Sequence, residues 1–165
     1  MSRFSIITPS YQASAWLKVC IASVADQGVD HEHIIQDTCS DDGTQNWLPQ
    51  DPRVKAFVEK DRGMYDAINR GIRRSSGEII AYLNADEQYL PGGLALADHY
   101  FRGHPKTEIV FGDVVMASED GNYVSHRKMQ APLLLSYVDL SLIDVELRDV
   151  FPAEIGRERR DVVQP

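Results

Sequence analysis

The sequence is short of cysteine, of long apolar runs and of positive charge, and each shortage narrows what the chain can do. Only Cys20 and Cys39 are present, too few for a disulfide framework and without the spacing of metal ligands. Both are expected to be reduced thiols in a reducing compartment, with no functional role. No stretch approaches the roughly 20 apolar residues of a membrane span. The amino terminus, Met1-Ser2-Arg3-Phe4-Ser5-Ile6-Ile7-Thr8, turns polar too soon for a secretory signal. The expectation is a cytoplasmic protein that is not integral to a membrane. Lys and Arg number 17 against 25 Asp and Glu, a formal charge of −8, which disfavours nucleic acid as a partner. An acidic chain still binds an anionic nucleotide where a metal ion and helix ends supply positive charge locally.

What is present is a chain of 165 residues, long enough for one α/β domain and short for two. Phe4-Ser5-Ile6-Ile7-Thr8 is a β-rich run that Pro9-Ser10 is expected to stop. Residues 13–24 then place Trp16, Leu17, Cys20, Ile21 and Val24 at helical spacing. A second short strand, His33-Ile34-Ile35-Gln36, closes in a polar cluster from Asp37 to Thr44 that runs into a helix start. Residues 54–58 suit a third strand, 64–74 a helix with Ile68 and Ile72 on one face, and 78–83 a buried fourth strand. Pro91 opens another helix, and residues 108–113 read as another strand. Such alternation predicts an α/β fold with a mostly parallel central sheet and helices on both faces. Ligands of such sheets sit outside the carboxyl ends of the strands, and the polar clusters fall at those ends.

Leu83-Asn84-Ala85-Asp86-Glu87 is the most telling cluster, because a hydrophobic strand delivers two adjacent carboxylates to its carboxyl end. Carboxylates there suit a hard divalent cation that also bridges substrate phosphates; alone, the motif reads equally as a solvated loop. Asp37 with Ser40, Asp41 and Asp42 offers acceptors for a nucleobase or ribose, yet taken alone reads as a set of caps. In the stretch from Glu59 to Gly71, Gly63 is the flexible point before a helix. Asp66 there suits the positive end of that helix. His31 and His33 would share one strand face, but no third ligand accompanies them, so a surface or strand-entry role is expected rather than metal.

Four motifs in order, Thr8-Pro9-Ser10-Tyr11, Asp37-Thr38-Cys39-Ser40-Asp41-Asp42-Gly43-Thr44, the run from Glu59 to Gly71, and Ser76-Gly77-Glu78-Ile79-Ile80-Ala81-Tyr82-Leu83-Asn84-Ala85-Asp86-Glu87, resemble the family 2 glycosyltransferases of GT-A type. The similarity is read from about Phe4 to about Asp113, after which it fades. It implies inverting transfer of a sugar from a nucleoside diphosphate sugar, with uridine the base by analogy, to a glycan or lipid-linked acceptor, as in polysaccharide biosynthesis. It implies Mg²⁺ or Mn²⁺ as cofactor. Carried over, Pro9 and Tyr11 would line the base pocket, Asp37 would hydrogen-bond the base, and Asp61 and Arg62 would lie near the nucleotide. Asp86 would face the ribose or metal, and Glu87 would be the main metal ligand. In the commoner family pattern that second carboxylate is Asp; Glu keeps the charge but adds a methylene. A dinucleotide-binding dehydrogenase has similar alternation, but Thr8-Pro9-Ser10-Tyr11 stands where its glycine-rich turn belongs, and a P-loop enzyme is set aside likewise.

The domain is expected to divide into a donor-binding core, residues 1–117, and a divergent, shortened carboxyl-terminal segment of the same domain, 118–165. An inverting transferase needs a base for the acceptor hydroxyl. Asp139, Asp144, Glu146 and Asp149 lie in the right part of the chain, but each reads as an exposed charge, and no base is assigned. The alternative function is therefore a nucleotide-sugar-binding or interaction module that has lost the acceptor half. Residues 132–150 are dense in Leu, Ile and Val, so this segment is expected either to fold back on the sheet edge or, the favoured reading, to pair with a second copy in a symmetric homodimer; membrane-associated proteins are a separate expected class of partner. Residues 156–161 are a charge run expected to form a solvated tail.

Overall fold

A computed structural model gives the structure, which describes residues 2–128. The candidate bases, the apolar stretch 132–150 with its expected dimer, and the charged tail lie outside the described residues. The chain divides into two compact units, Met1–His99 and Tyr100–Pro165. The elements in order are β1 (Phe4–Ser10), α1 (Ser14–Ala25), β2 (His31–Asp37), a short α2 (Thr44–Trp47) with a 3₁₀ turn at Leu48–Gln50, β3 (Lys55–Val58), α3 (Met64–Arg74), β4 (Ile79–Tyr82), α4 (Gly93–Gly103), β5 (Val114–Ala117) and β6 (Tyr123–Arg127).

In the first unit four parallel strands pair in the order β3-β2-β1-β4. Alternation along β1 divides the core. Phe4 and Ile6 pack with Cys20 and Val24 of α1 and with Leu83 and Leu94, whereas Ile7 faces α3. There Gly71 is required, because a Cβ at that position would collide with the Ile7 side chain. A helix-interior glycine costs roughly 0.5–1 kcal/mol relative to alanine, and here the close helix–strand approach depends on it. A second cluster joins Leu17 and Ile21 of α1 to Ile35, Leu48 and Ala85. At the amino end of the sheet the buried Glu32 carboxylate accepts from Ser5 Oγ, from the backbone and hydroxyl of Ser76, and from Lys55 Nζ. This full set of partners allows a charge to be buried there.

Three expectations change. Strand β1 does not stop at Pro9 but runs through Ser10, with Pro9 opposite Gln36 and Ser10 opposite Asp37. The Ile7 carbonyl accepts from Leu83 on the β4 side, and the Ser10 carbonyl accepts from Thr38 on the β2 side. By alternation, the missing N–H of Pro9 faces the β4 side, beyond the last β1–β4 pair at Ile7 and Tyr82, where no ladder partner is needed. Strand β4 is not fully buried: it is an edge strand among the described residues, with Ile80 and Tyr82 about two-fifths exposed. Residues 108–113 form no strand. Gly112 and Asp113 are weak strand formers, and the ladder begins only at Val114, which pairs with Arg127 in an antiparallel hairpin of β5 and β6 in the second unit.

Candidate active site

The strand order reverses direction between β1 and β4, where open α/β sheets leave a crevice at their carboxyl ends. A cleft of about 780 Å³ lies there. Its walls come from the turn after β1 (Pro9, Ser10, Tyr11, Gln12), the start of α1 (Ala13, Trp16), Thr38 after β2, the 60–67 segment, and Asn84, Ala85 and Asp86 after β4. Four residues singled out from the sequence, Pro9, Tyr11, Asp61 and Asp86, thus share one cavity. Asp37, Arg62 and Glu87 are not among its lining residues.

Asp37 is fully buried, and its carboxylate accepts from the Ser40 amide at 2.9 Å and the Ser40 hydroxyl at 2.7 Å. Ser40 in turn accepts from the Gln12 amide at 2.9 Å, so the turn after β2 buttresses the turn after β1. Gln12 holds a positive φ of 53° and donates its side chain to Asp41. Asp42 supplies the cap that α1 lacks on its own: the Ser14 amide donates to it at 2.7 Å, and Thr44 donates through both its amide and hydroxyl. Desolvation is the largest single influence and would raise its carboxyl, but these bonds together hold it below the usual range. A local reading could assign capping to this cluster, but not that the capped helix lies 28 residues back.

Asp61 accepts the Gly63 amide at 2.9 Å, and its own amide donates to Thr38 Oγ1. Arg62 is 88% exposed and lies 3.5 Å from Asp66. Asp66 accepts the Arg62 amide at 3.0 Å, so the carboxylate expected at the helix start reaches back over the first turn of α3. After β4, residues 84–87 form a turn closed by the Glu87 amide on the Asn84 carbonyl at 3.1 Å. The Glu87 carboxylate accepts the Asn84 amide at 3.1 Å, while Asp86 is exposed on the cleft. Tyr82 donates to Asn84 Oδ1.

Mg²⁺ and Mn²⁺ take oxygen ligands, and such ions are commonly held by one or two carboxylates together with substrate phosphates. The adjacent, exposed Asp86 and Glu87 fit that donor set. Among the described residues no three His, Cys, Asp or Glu side chains gather as a self-sufficient metal cage, which is why the phosphates matter to the fit.

Two residues depart from their sequence reading. Trp16 has the spacing of a core position but is 43% exposed on the cleft, because Leu17, Cys20 and Ile21 occupy the buried stripe of α1. His33 is 2% exposed and not at the surface. It shares a 2.9 Å hydrogen bond with Thr8 through Nε2, while Nδ1 has no partner, and burial drives its pKa down to about 3.

Solved structures that share the described fold give it as the GT-A type. S. aureus TarS 1-349 in complex with UDP-GlcNAc matches 62% of this chain and 32% of its own, with a TM-score of 0.56 and 21% identity. The mannosyltransferase PcManGT from Pyrobaculum calidifontis, in complex with GDP-Man and Mn²⁺, covers 61% of this chain and 32% of its own, with a TM-score of 0.54 and 24% identity. The profile of glycosyl transferase family 2 matches residues 5–159, and the chain belongs to that family. A PGL/p-HBAD biosynthesis glycosyltransferase of Mycobacterium tuberculosis is 34% identical over 122 residues, 70% of this chain and 48% of the relative. The chain therefore spans about half the length of that curated relative. The family match does not end near Asp113 as the motifs suggested; it continues to residue 159, and the alternative of a binding module that has lost its acceptor half is not favoured. Among the described residues no helix is long and apolar enough to cross a membrane.

Proposed function

We propose that this chain provides the donor site of a metal-dependent glycosyltransferase that moves a sugar, with inversion, from a UDP-linked donor to a glycan or lipid-linked acceptor. The observation that carries the reading is the cleft at the carboxyl ends of β1 and β4, where Pro9, Tyr11, Asp61 and Asp86 meet. In this reading Pro9 and the exposed Tyr11 flank the base, with Asp37 behind them held in orientation by Ser40. Asp61 and Arg62 lie beside the nucleotide, Asp86 meets the ribose or the ion, and Glu87 leaves the Asn84 amide to hold the ion. Mg²⁺ or Mn²⁺ would be held by Asp86 and Glu87 and would neutralise the diphosphate as the leaving group departs. Residues 1–117 would form the donor core and 118–165 its continuation. The family to which the chain belongs supports the chemistry, and the UDP-GlcNAc and GDP-Man complexes of fold neighbours support a nucleotide-sugar ligand.

The test is a hydrolysis and transfer screen across UDP-, GDP- and dTDP-sugars, with Mn²⁺ and with excess chelator, against glycan and lipid-linked acceptors. Turnover of a UDP-sugar only with the divalent ion, and a product of inverted anomeric configuration by NMR, is expected. Metal-independent turnover, or retention of configuration, would contradict the reading.

A further inference from the structure

Arg70 lies on α3, outside the lining of the cleft, yet it gathers the segment that leads into it. Its Nη1 donates to the Lys60 carbonyl at 3.0 Å and lies 3.2 Å from the Glu59 carboxylate; Nη2 donates to Asp66 Oδ2 at 2.9 Å. The same Asp66 oxygen accepts the Arg62 amide. Arg74 and Gln36 meet the same Glu59 oxygen, Oε1, at 2.8 and 3.1 Å. The Asp61 amide is fixed by Thr38. The Glu59 side chain, the Lys60 carbonyl and the amides of Asp61 and Arg62 are thus all held from behind. Lys60 and Asp61 then line the cleft, with Gly63, at φ 117°, turning the chain into α3.

We infer that Arg70 is a positioning residue for donor binding: it clamps residues 59–62 in the shape that presents Lys60 and Asp61 to the nucleotide. The inference rests on the nucleotide-binding reading of the cleft. An i,i+4 ion pair between Asp66 and Arg70 would by itself only support the helix by about 0.2–0.5 kcal/mol, and lysine would replace it. The clamp instead needs one planar group that meets a carbonyl and two carboxylates at once, which an ammonium on a flexible stem does not reproduce. Glu59 and Asp66 are both held below the usual carboxylate range, Glu59 chiefly by Arg74 and Asp66 chiefly by the Arg62 amide, so both are ionised at neutral pH.

Arg70→Lys and Arg70→Gln, with wild type, would be titrated with UDP and Mn²⁺ by calorimetry, melted, and digested with trypsin without ligand. Both variants are expected to bind UDP about tenfold more weakly, in line with loss of a charge-assisted hydrogen bond. Melting temperatures should stay close to wild type, and cleavage after Lys60 and Arg62 should quicken. Wild-type affinity in Arg70→Lys would reduce the residue to its charge and overturn the clamp. Unchanged affinity in Arg70→Gln alongside a lower melting temperature would make Arg70 a structural residue only, and would also overturn it. A wild type that binds UDP while both variants bind it equally well defeats the clamp alone. A wild type that binds no nucleoside diphosphate defeats the donor-site reading and the clamp with it.

Discussion

Glu87→Ala is expected to abolish the divalent-ion dependence of UDP binding and leave the fold intact. Glu87 is exposed at the tip of the turn after β4, and among the described residues its carboxylate engages only the amide of its own turn, so truncation opens no cavity and strands no buried charge. Asp86, the diphosphate and Glu87 are all anionic, and only a cation between them makes their approach favourable. Changes even to outer-shell partners of bound metals cost about 10–100-fold in metal affinity, and a direct ligand should cost at least as much. Calorimetry with Mn²⁺ should therefore show UDP affinity in Glu87→Ala falling to the level that the wild type shows in excess chelator. Glu87→Asp, which restores the commoner family residue and keeps the charge, should retain the dependence. Equal affinity with Mn²⁺ and with chelator in the wild type would remove the metal bridge altogether.

A pronounced loss of stability between pH 6.5 and pH 4.5 is expected, and His33 is its source. The ring is buried beneath the first motif, Thr8 meets one nitrogen, and the other has no partner. An imidazolium there would leave a charge desolvated and one N–H donor unsatisfied, and burial, reinforced by His31, accordingly lowers the pKa from 6.5 to about 3. Above pH 6.5 the ring is neutral in both folded and unfolded chains. Below it the unfolded chain takes up a proton that the folded chain refuses down to about pH 3, so stability falls with pH by about 1.4 kcal/mol per pH unit from this group. Glu32 does not mask this. Its burial is outweighed by bonds from Lys55, Ser5 and Ser76, which leave it at about 2 against an ordinary value of 4.5, and its stabilisation is lost only as pH falls below 4.5. Denaturant unfolding of wild type and His33→Gln at pH 7.5, 6.5, 5.5 and 4.5 checks the prediction. The wild-type curve should fall away more steeply by about that slope, and parallel curves would show that His33 does not govern acid sensitivity.

Much of the first unit was legible because it depends on local signals. The apolar runs of β1 and β2, the spacing of Leu17, Cys20, Ile21 and Val24, and the span of α3 follow from periodicity, and carboxylates after a hydrophobic strand are visible as such. What escaped depends on partners distant in the chain. Pro9 remains in β1 because β4 has already ended beside it, which the residues around Pro9 do not reveal. Trp16 and His33 have ordinary helix and strand spacing, and only the packed sheet decides that the tryptophan faces the cleft and the histidine the core. Asp42 capping α1 arises from loops brought together by the parallel crossover, whereas Arg70 grips the segment before its own helix through a fold-back of the chain that residue spacing does not display. At residues 108–113, the short apolar run Ile109-Val110-Phe111 has β propensity, but Gly112 and Asp113 interrupt it before the hairpin begins.

The most direct measurement of the central proposal is photolabelling with a uridine diphosphate carrying a photoreactive group on the base, followed by peptide mapping, with Mn²⁺ present and unmodified UDP-sugar as competitor. Label on the peptides containing Pro9 to Trp16 and Lys60 to Ala67, suppressed by the competitor, is the predicted result. Label that falls elsewhere in the chain, or that survives competition, would contradict a nucleotide site in the cleft between β1 and β4.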